Sequence, residues 1–129
     1  MNSKKNRQMD KTFRQYIGIR GEDAAARLLE ERGYVILQRN YTVHDVGEID
    51  IIAEKGDDIH IFEVRTRRNI GRFPDSAESV IYSKRMKVIR TAERYIEENQ
   101  LYGRNIVFEV IKVTHDRDGN ILNIDFVPF

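Results

Sequence analysis

Residues 47–65 read GEIDIIAEKGDDIHIFEVR. Two strand-like runs flank Gly56-Asp57, a dipeptide that favours the two-residue turn of a β-hairpin. Side chains alternate along a strand. Glu48, Asp50 and Ile52 are therefore expected on one face, and Ile49, Ile51 and Ala53 on the other. On the next strand Ile59, Ile61, Glu63, Arg65 and Arg67 share a face, while His60, Phe62 and Val64 take its reverse. Closing the hairpin on Gly56-Asp57 sets Lys55 against Asp58, Ile52 against Ile61, Asp50 against Glu63 and Glu48 against Arg65. A slip of two residues would make the acids diagonal neighbours instead.

Directly opposed residues on one face have Cβ atoms roughly 4.5–5.5 Å apart. Two carboxylates at that separation repel, and one pKa rises unless a cation sits between them. A divalent metal suits the place, since Mg²⁺ takes one or two carboxylates together with waters and a phosphate oxygen. Glu22 is a third candidate acid, because it borders the apolar stripe of a helix over 12–33 and can point toward the sheet. Plainer explanations stand beside these. Asp50 and Glu63 each have arginines near in sequence to pair with, Glu22 is favoured by a helix dipole, and a cross-strand ion pair with Arg65 accounts for Glu48.

Outward from the hairpin, TFRQYIGIRGEDAAARLLEERG (12–33) carries Ala24, Ala25, Leu28 and Leu29 at helical spacing and ends on Gly33. Gly18 and Gly21 weaken its first half by about 1 kcal/mol each and invite close approach by another backbone or a ligand. Residues 1–12 read as a flexible basic tail. A strand is expected over 34–43. A second helix, 83–99, has Ser83 as its cap and Met86, Ile89, Ala92 and Ile96 as its apolar stripe. Late strands at 105–113 and 121–129 flank the Asp118-Gly119 turn. The order α-β-β-β-α-β-β predicts one α+β domain over 13–129, with a mixed or antiparallel sheet flanked by helices.

The length of 129 residues suits one domain. Cysteine is absent, which excludes disulfides and thiolate metal sites. No apolar stretch approaches the roughly 20 residues of a membrane span. The polar start MNSKKNRQMDK lacks the apolar core of an export signal, so a cytoplasmic location is expected. The net charge of +1 conceals a segregation. Residues 43–63 hold seven acids and one base, whereas 65–94 hold nine bases and three acids. An acidic site beside a basic surface suits a polyanion, although two solvated faces of opposite sign would read the same way. His44, His60 and His115 are scattered and form no zinc pattern, and no phosphate-cradling or dinucleotide glycine motif occurs.

The segments GIRGEDAAARLLEERGYVILQRN, GEIDIIAEKGDDIHIFEVRTR, SAESV and SKRMKVIRTAERYI together resemble the YraN family of small bacterial proteins. More broadly, they are similar to the restriction-endonuclease-like PD-(D/E)XK superfamily, in its resolvase-like branch. That resemblance implies an αβββαβ core with a central mixed sheet flanked by helices. It matches Asp50 and Glu63 to the metal-binding acids and Glu22 to a helix glutamate of the resolvase-like branch, with Mg²⁺ or Mn²⁺ as the expected cofactor. Arg65 departs from the pattern, standing where the family usually has the lysine of E-x-K. Arginine can stabilise developing charge but does not readily give up a proton. Lys84, from the second helix, is a candidate source of an ammonium, although an exposed basic residue is the simpler explanation.

Two functions follow. One is a metal-dependent nuclease acting on DNA, branched or single-stranded, with Asp50, Glu63, Glu22 and Arg65 at the centre. Arg67, Arg68, Arg72 and Lys84 would grip the phosphate backbone. Phe73 and Tyr82 are candidates for stacking on bases, with core packing the plainer reading of both. The other function is a nucleic-acid-binding module on the same fold without cleavage. A purely structural or interaction role stands third. A homodimer is compatible with all three.

Overall fold

The computed structural model describes residues 3–69 and 82–129, with first-helix side chains from Thr12 onward. Seven elements follow in the expected order: α1 (Ser3–Glu31), β1 (Val35–Val43), β2 (Gly47–Lys55), β3 (Asp58–Arg68), α2 (Tyr82–Glu98), β4 (Asn105–His115) and β5 (Ile121–Pro128). The strands form one mixed sheet in sequential order, antiparallel except for the parallel β3–β4 pair. A parallel pair needs a crossover, and α2 lies within it. The architecture is α+β, consistent with a restriction-endonuclease-like core.

The helices cover opposite faces. Ala25, Ala26 and Leu29 of α1 bury Ile51, Ala53, Phe62, Ile111 and Val113. Val88, Ala92 and Tyr95 of α2 bury Tyr41, Ile49, Ile52, Ile59 and Ile61. Both buried stripes differ from expectation. On α1 it runs Ile17, Gly21, Ala25 and Leu29 at i,i+4 spacing, and the helix begins at Ser3, well before Thr12. On α2 it is Val88, Thr91, Ala92 and Tyr95, with Met86, Ile89 and Ile96 only partly buried. The buried positions 88, 91 and 95 stand one residue before the expected 89, 92 and 96, so the helix is turned to bury Val88, Thr91 and Tyr95. The Tyr95 ring packs edge-on to Tyr41, and Thr91 Oγ1 satisfies itself on Lys87 O at 2.7 Å. Ser83 lies inside α2, so it does not cap it.

Two glycines set how closely the helices approach the sheet. A Cβ on Gly21 would stand 2.2 Å from Thr66 Oγ1 and 3.0 Å from its Cγ2, so α1 touches β3 here. A Cβ on Gly47 would stand 2.7 Å from Thr91 Oγ1, so α2 presses equally hard on the start of β2. Each glycine immediately precedes an acid, Glu22 or Glu48, and these are the two Gly-Glu pairs of the sequence.

Gly21→Ala gains helix propensity of about 1 kcal/mol, but the buried clash opposes it. A net loss of roughly 1–2 kcal/mol in denaturant unfolding is expected, largely recovered in the double variant with Thr66→Ala. Equal stability of Gly21→Ala and the parent would show that α1 does not need this contact.

Candidate functional site

The hairpin register holds as far as Ile51↔Phe62: Lys55↔Asp58, Glu54↔Ile59, Ala53↔His60 and Ile52↔Ile61 pair as expected. The ladder then stops, so the expected Asp50–Glu63 and Glu48–Arg65 pairings do not form. Asp50 Oδ2 instead accepts the Val64 N–H at 2.7 Å. A side chain thus occupies the place of a ladder carbonyl.

The reason lies partly in the neighbouring strand. β1 and β2 pair at Arg39↔Ile51 and again at Tyr41↔Ile49, leaving out the intervening Asn40 and Asp50. Asn40 is left-handed, with φ 54°, a conformation asparagine tolerates better than most residues. Both strands change face at this point. Arg39 and Ile51 lie on the α1 side, where Arg39 meets Glu22 and Ile51 joins the α1 core. Tyr41 and Ile49 both join the α2 core. Strict alternation would have kept Ile49 with Ile51, so the expected grouping of Glu48, Asp50 and Ile52 on one face is corrected. Asp50 occupies the fault line between the two faces.

On β3 the parallel ladder to β4 is unbroken from Asp58 to Arg68, and alternation holds. Ile59 and Ile61 face α2, and so do Glu63 and Arg65. Lys84 of α2 comes down to Glu63, with Nζ 2.8 Å from Oε1. The other oxygen, Glu63 Oε2, is buried and has no hydrogen-bond partner among the described residues. Among the described residues, neither Asp50 nor Glu63 is locked onto an arginine, the simpler pairing considered above. Arg65 is 8% exposed, and among the described residues no acid pairs with it.

Glu22 borders the site from α1. Its Oε1 accepts from Arg39 Nε and Asn40 Nδ2, both at 3.1 Å, while Arg39 also bonds Asp23 Oδ1 at 2.7 Å. Burial pushes the Asp50 carboxyl up to about 6. The Val64 N–H opposes the rise, and the charges of Glu22, Glu63 and Glu48 add to it. These four carboxylates thus share one electrostatic neighbourhood, although no group of three among the described residues is close enough to ligate one ion.

Of the expected nucleic-acid contacts, Arg67 and Arg68 are exposed at the end of β3 and Lys84 sits on Glu63. Tyr82 is 76% exposed, contrary to the core-packing reading. Arg72 and Phe73 lie outside the described residues. Three features escaped sequence reasoning: the Asn40 kink, the Arg39 clamp on Glu22, and the Val64 N–H as partner of Asp50. Only Asn40 carried a signal, as a residue that tolerates left-handed backbone.

The Asp50 carboxyl gives a pH test. Its folded pKa lies above the unfolded value, so the stability it contributes is present at low pH and lost as pH rises through about 6. In divalent-free buffer Asp50→Asn keeps an acceptor for Val64 and removes the buried charge. The variant is expected to exceed the parent by roughly 1–3 kcal/mol at pH 8, with the difference fading toward pH 4. A pH-independent difference would mean that Asp50 titrates normally.

A family model described as "Uncharacterised protein family UPF0102" matches residues 21–113. A UPF0102 protein of Dictyoglomus turgidum is 40% identical over 112 residues, covering 87% of this chain and 93% of the relative. One from Moorella thermoacetica is 41% identical over 107 residues, covering 83% and 88%. One from Clostridium perfringens is 37% identical over 117 residues, covering 91% and 94%. The matched region runs from Gly21 through the acid-bearing hairpin to β4, so the elements that build the site are those the relatives share, and the chain belongs to the UPF0102 family.

Proposed function

We propose that the protein is a metal-dependent nuclease acting on DNA, with Asp50 and Glu63 as the pair that holds the metal. The observation that carries this reading is Glu63 Oε2, a buried carboxylate oxygen that no donor among the described residues satisfies. Such an atom is costly unless a cation meets it. Asp50, a second desolvated carboxylate on the adjoining strand, supplies another hard oxygen. That donor set fits Mg²⁺ or Mn²⁺, which complete their shells with water and phosphate oxygens. When bound, the metal supplies Lewis acidity and lowers the pKa of its water.

The chain's own residues do the rest. The Val64 N–H holds Asp50 in one orientation. Lys84 places an ammonium 2.8 Å from Glu63 Oε1 and assumes the part that a lysine two residues after the glutamate would play. It can exchange a proton with water, as an arginine cannot. Arg65, buried and without an acid partner among the described residues, is suited to a phosphate oxygen. Glu22, held by Arg39 and Asn40, adds negative potential or acts through water rather than as a ready direct ligand. Arg67 and Arg68 continue the positive surface beyond the centre.

A second reading, a nucleic-acid-binding module without cleavage, draws on the commitment of Glu22 to Arg39 and on arginine at position 65.

The deciding experiment incubates the protein with single-stranded, duplex and branched DNA in Mg²⁺ or Mn²⁺. Cleavage is expected, falling at least 100-fold in Asp50→Asn and Glu63→Gln and roughly 10²-fold or more in Lys84→Ala. Mg²⁺ should raise the melting temperature of the parent and of Lys84→Ala but leave Asp50→Asn unmoved. Cleavage undiminished in Asp50→Asn would remove the proposed centre. Salt-sensitive binding with cleavage gained only in Arg65→Lys would establish the second reading.

A further inference from the structure

Among the described residues, three that are not glycine have left-handed backbone: Asn40, Asp45 and Gln100. Asp45 lies in the turn between β1 and β2, and Gln100 lies just past the end of α2. Turns and helix ends commonly hold such a residue. Asn40 stands inside a strand, where this conformation interrupts the ladder. An outlier of that kind persists only when its surroundings hold it, and such outliers gather at functional sites.

Asn40 does two things at once. In the β1–β2 register it stands opposite Asp50, between the pairs Arg39↔Ile51 and Tyr41↔Ile49. Its backbone turns β1 over at that position, from Arg39 on the α1 side to Tyr41 in the α2 core. β2 turns over with it, so Asp50 leaves the alternation of its own strand and its carboxylate reaches the Val64 N–H at 2.7 Å. The Asn40 side chain meanwhile crosses to α1, where Nδ2 donates to Glu22 Oε1 at 3.1 Å. Of the three acids whose charge acts on Asp50, Glu22 acts most strongly. One residue thus touches both acids, Asp50 through its backbone and Glu22 through its amide. Glycine would take the same backbone but has no donor, and ionised aspartate would offer Glu22 only acceptors.

We propose that Asn40 is a positioning residue of the acid centre: its left-handed backbone delivers Asp50 to Val64, and its amide seats Glu22 at the edge of the same centre. The effect on metal binding and cleavage rests on the metal-centre reading of Asp50 and Glu63. The delivery of Asp50 to Val64 is independent of that reading and has its own measurement.

The test uses the full chain with Asn40→Gly, which keeps the backbone and loses the amide, and Asn40→Val, which loses both. Position 40 is exposed, so neither variant disturbs the core. Hydrogen exchange is followed by NMR at the Val64 N–H, relative to the Phe62 N–H, with Asp50→Ala as the control. Exchange at Val64 should stay slow in Asn40→Gly and become roughly tenfold faster in Asn40→Val and Asp50→Ala. Asn40→Gly should melt within a few degrees of the parent. It should nevertheless need roughly tenfold more Mg²⁺ for half of its melting-temperature rise, and its kcat should fall roughly tenfold at unchanged KM. A merely structural asparagine would leave the Mg²⁺ midpoint where it was. Val64 protection retained in Asn40→Val, or a Mg²⁺ midpoint in Asn40→Gly equal to that of the parent, overturns the proposal. A parent without any Mg²⁺ response removes the metal reading, and Val64 exchange then decides the positioning of Asp50 by itself.

Discussion

One hydrogen bond organises this site: the Asp50 carboxylate accepting the Val64 N–H. An antiparallel ladder normally satisfies such an amide with a backbone carbonyl. Here a side chain does so, because the β2–β3 ladder ends one residue earlier. Anchoring the aspartate this way fixes its carboxylate within electrostatic reach of Glu63. It also holds the splayed strands together at the point where ordinary pairing fails. The left-handed Asn40 on the other flank makes the same point in β1, and its side chain reaches over to Glu22. A single irregularity, shared by two strands, thus collects acids from both faces of the sheet.

Positive charge comes from three places and does different work in each. Arg39 of β1 ties α1 to the sheet through Glu22 and Asp23. Lys84 of α2 meets Glu63 from the opposite face. Arg65 stays buried, with no acid beside it among the described residues. The arginine next to the glutamate in sequence is therefore not the glutamate's partner in space. A residue twenty-one positions further on fills that role, made possible by the tight seat of α2 against Gly47.

Much of this was legible in the residues. Alternation and Gly56-Asp57 specified the hairpin as far as regular pairing lasts, and strong turn residues bounded most elements. The acids were legible because carboxylates are conspicuous among Ile49, Ile51, Ile52 and Ile61. What escaped was whatever broke the repeat. Period-two reasoning assumes uniform strands, so it carried Asp50 past the end of the ladder and kept Ile49 on the wrong face. The stripe expected on α2 stood one residue too late along the helix and so missed Val88, Thr91 and Tyr95. The lysine on Glu63 depended on where a crossover helix lands, a tertiary fact that spacing can suggest as a candidate and cannot fix.

The crossover has a kinetic side as well. The β2–β3 hairpin closes across two residues, but β3 and β4 join positions 47 apart in the chain, with Asp58 beside Asn105. Local closure precedes such distant pairing because it sacrifices less chain entropy. Asp50 can therefore find Val64 while α2 is still unplaced, and Glu63 remains hydrated until that helix docks. The Lys84 contact then belongs to the last stage of assembly, where it resists unfolding more than it hastens folding.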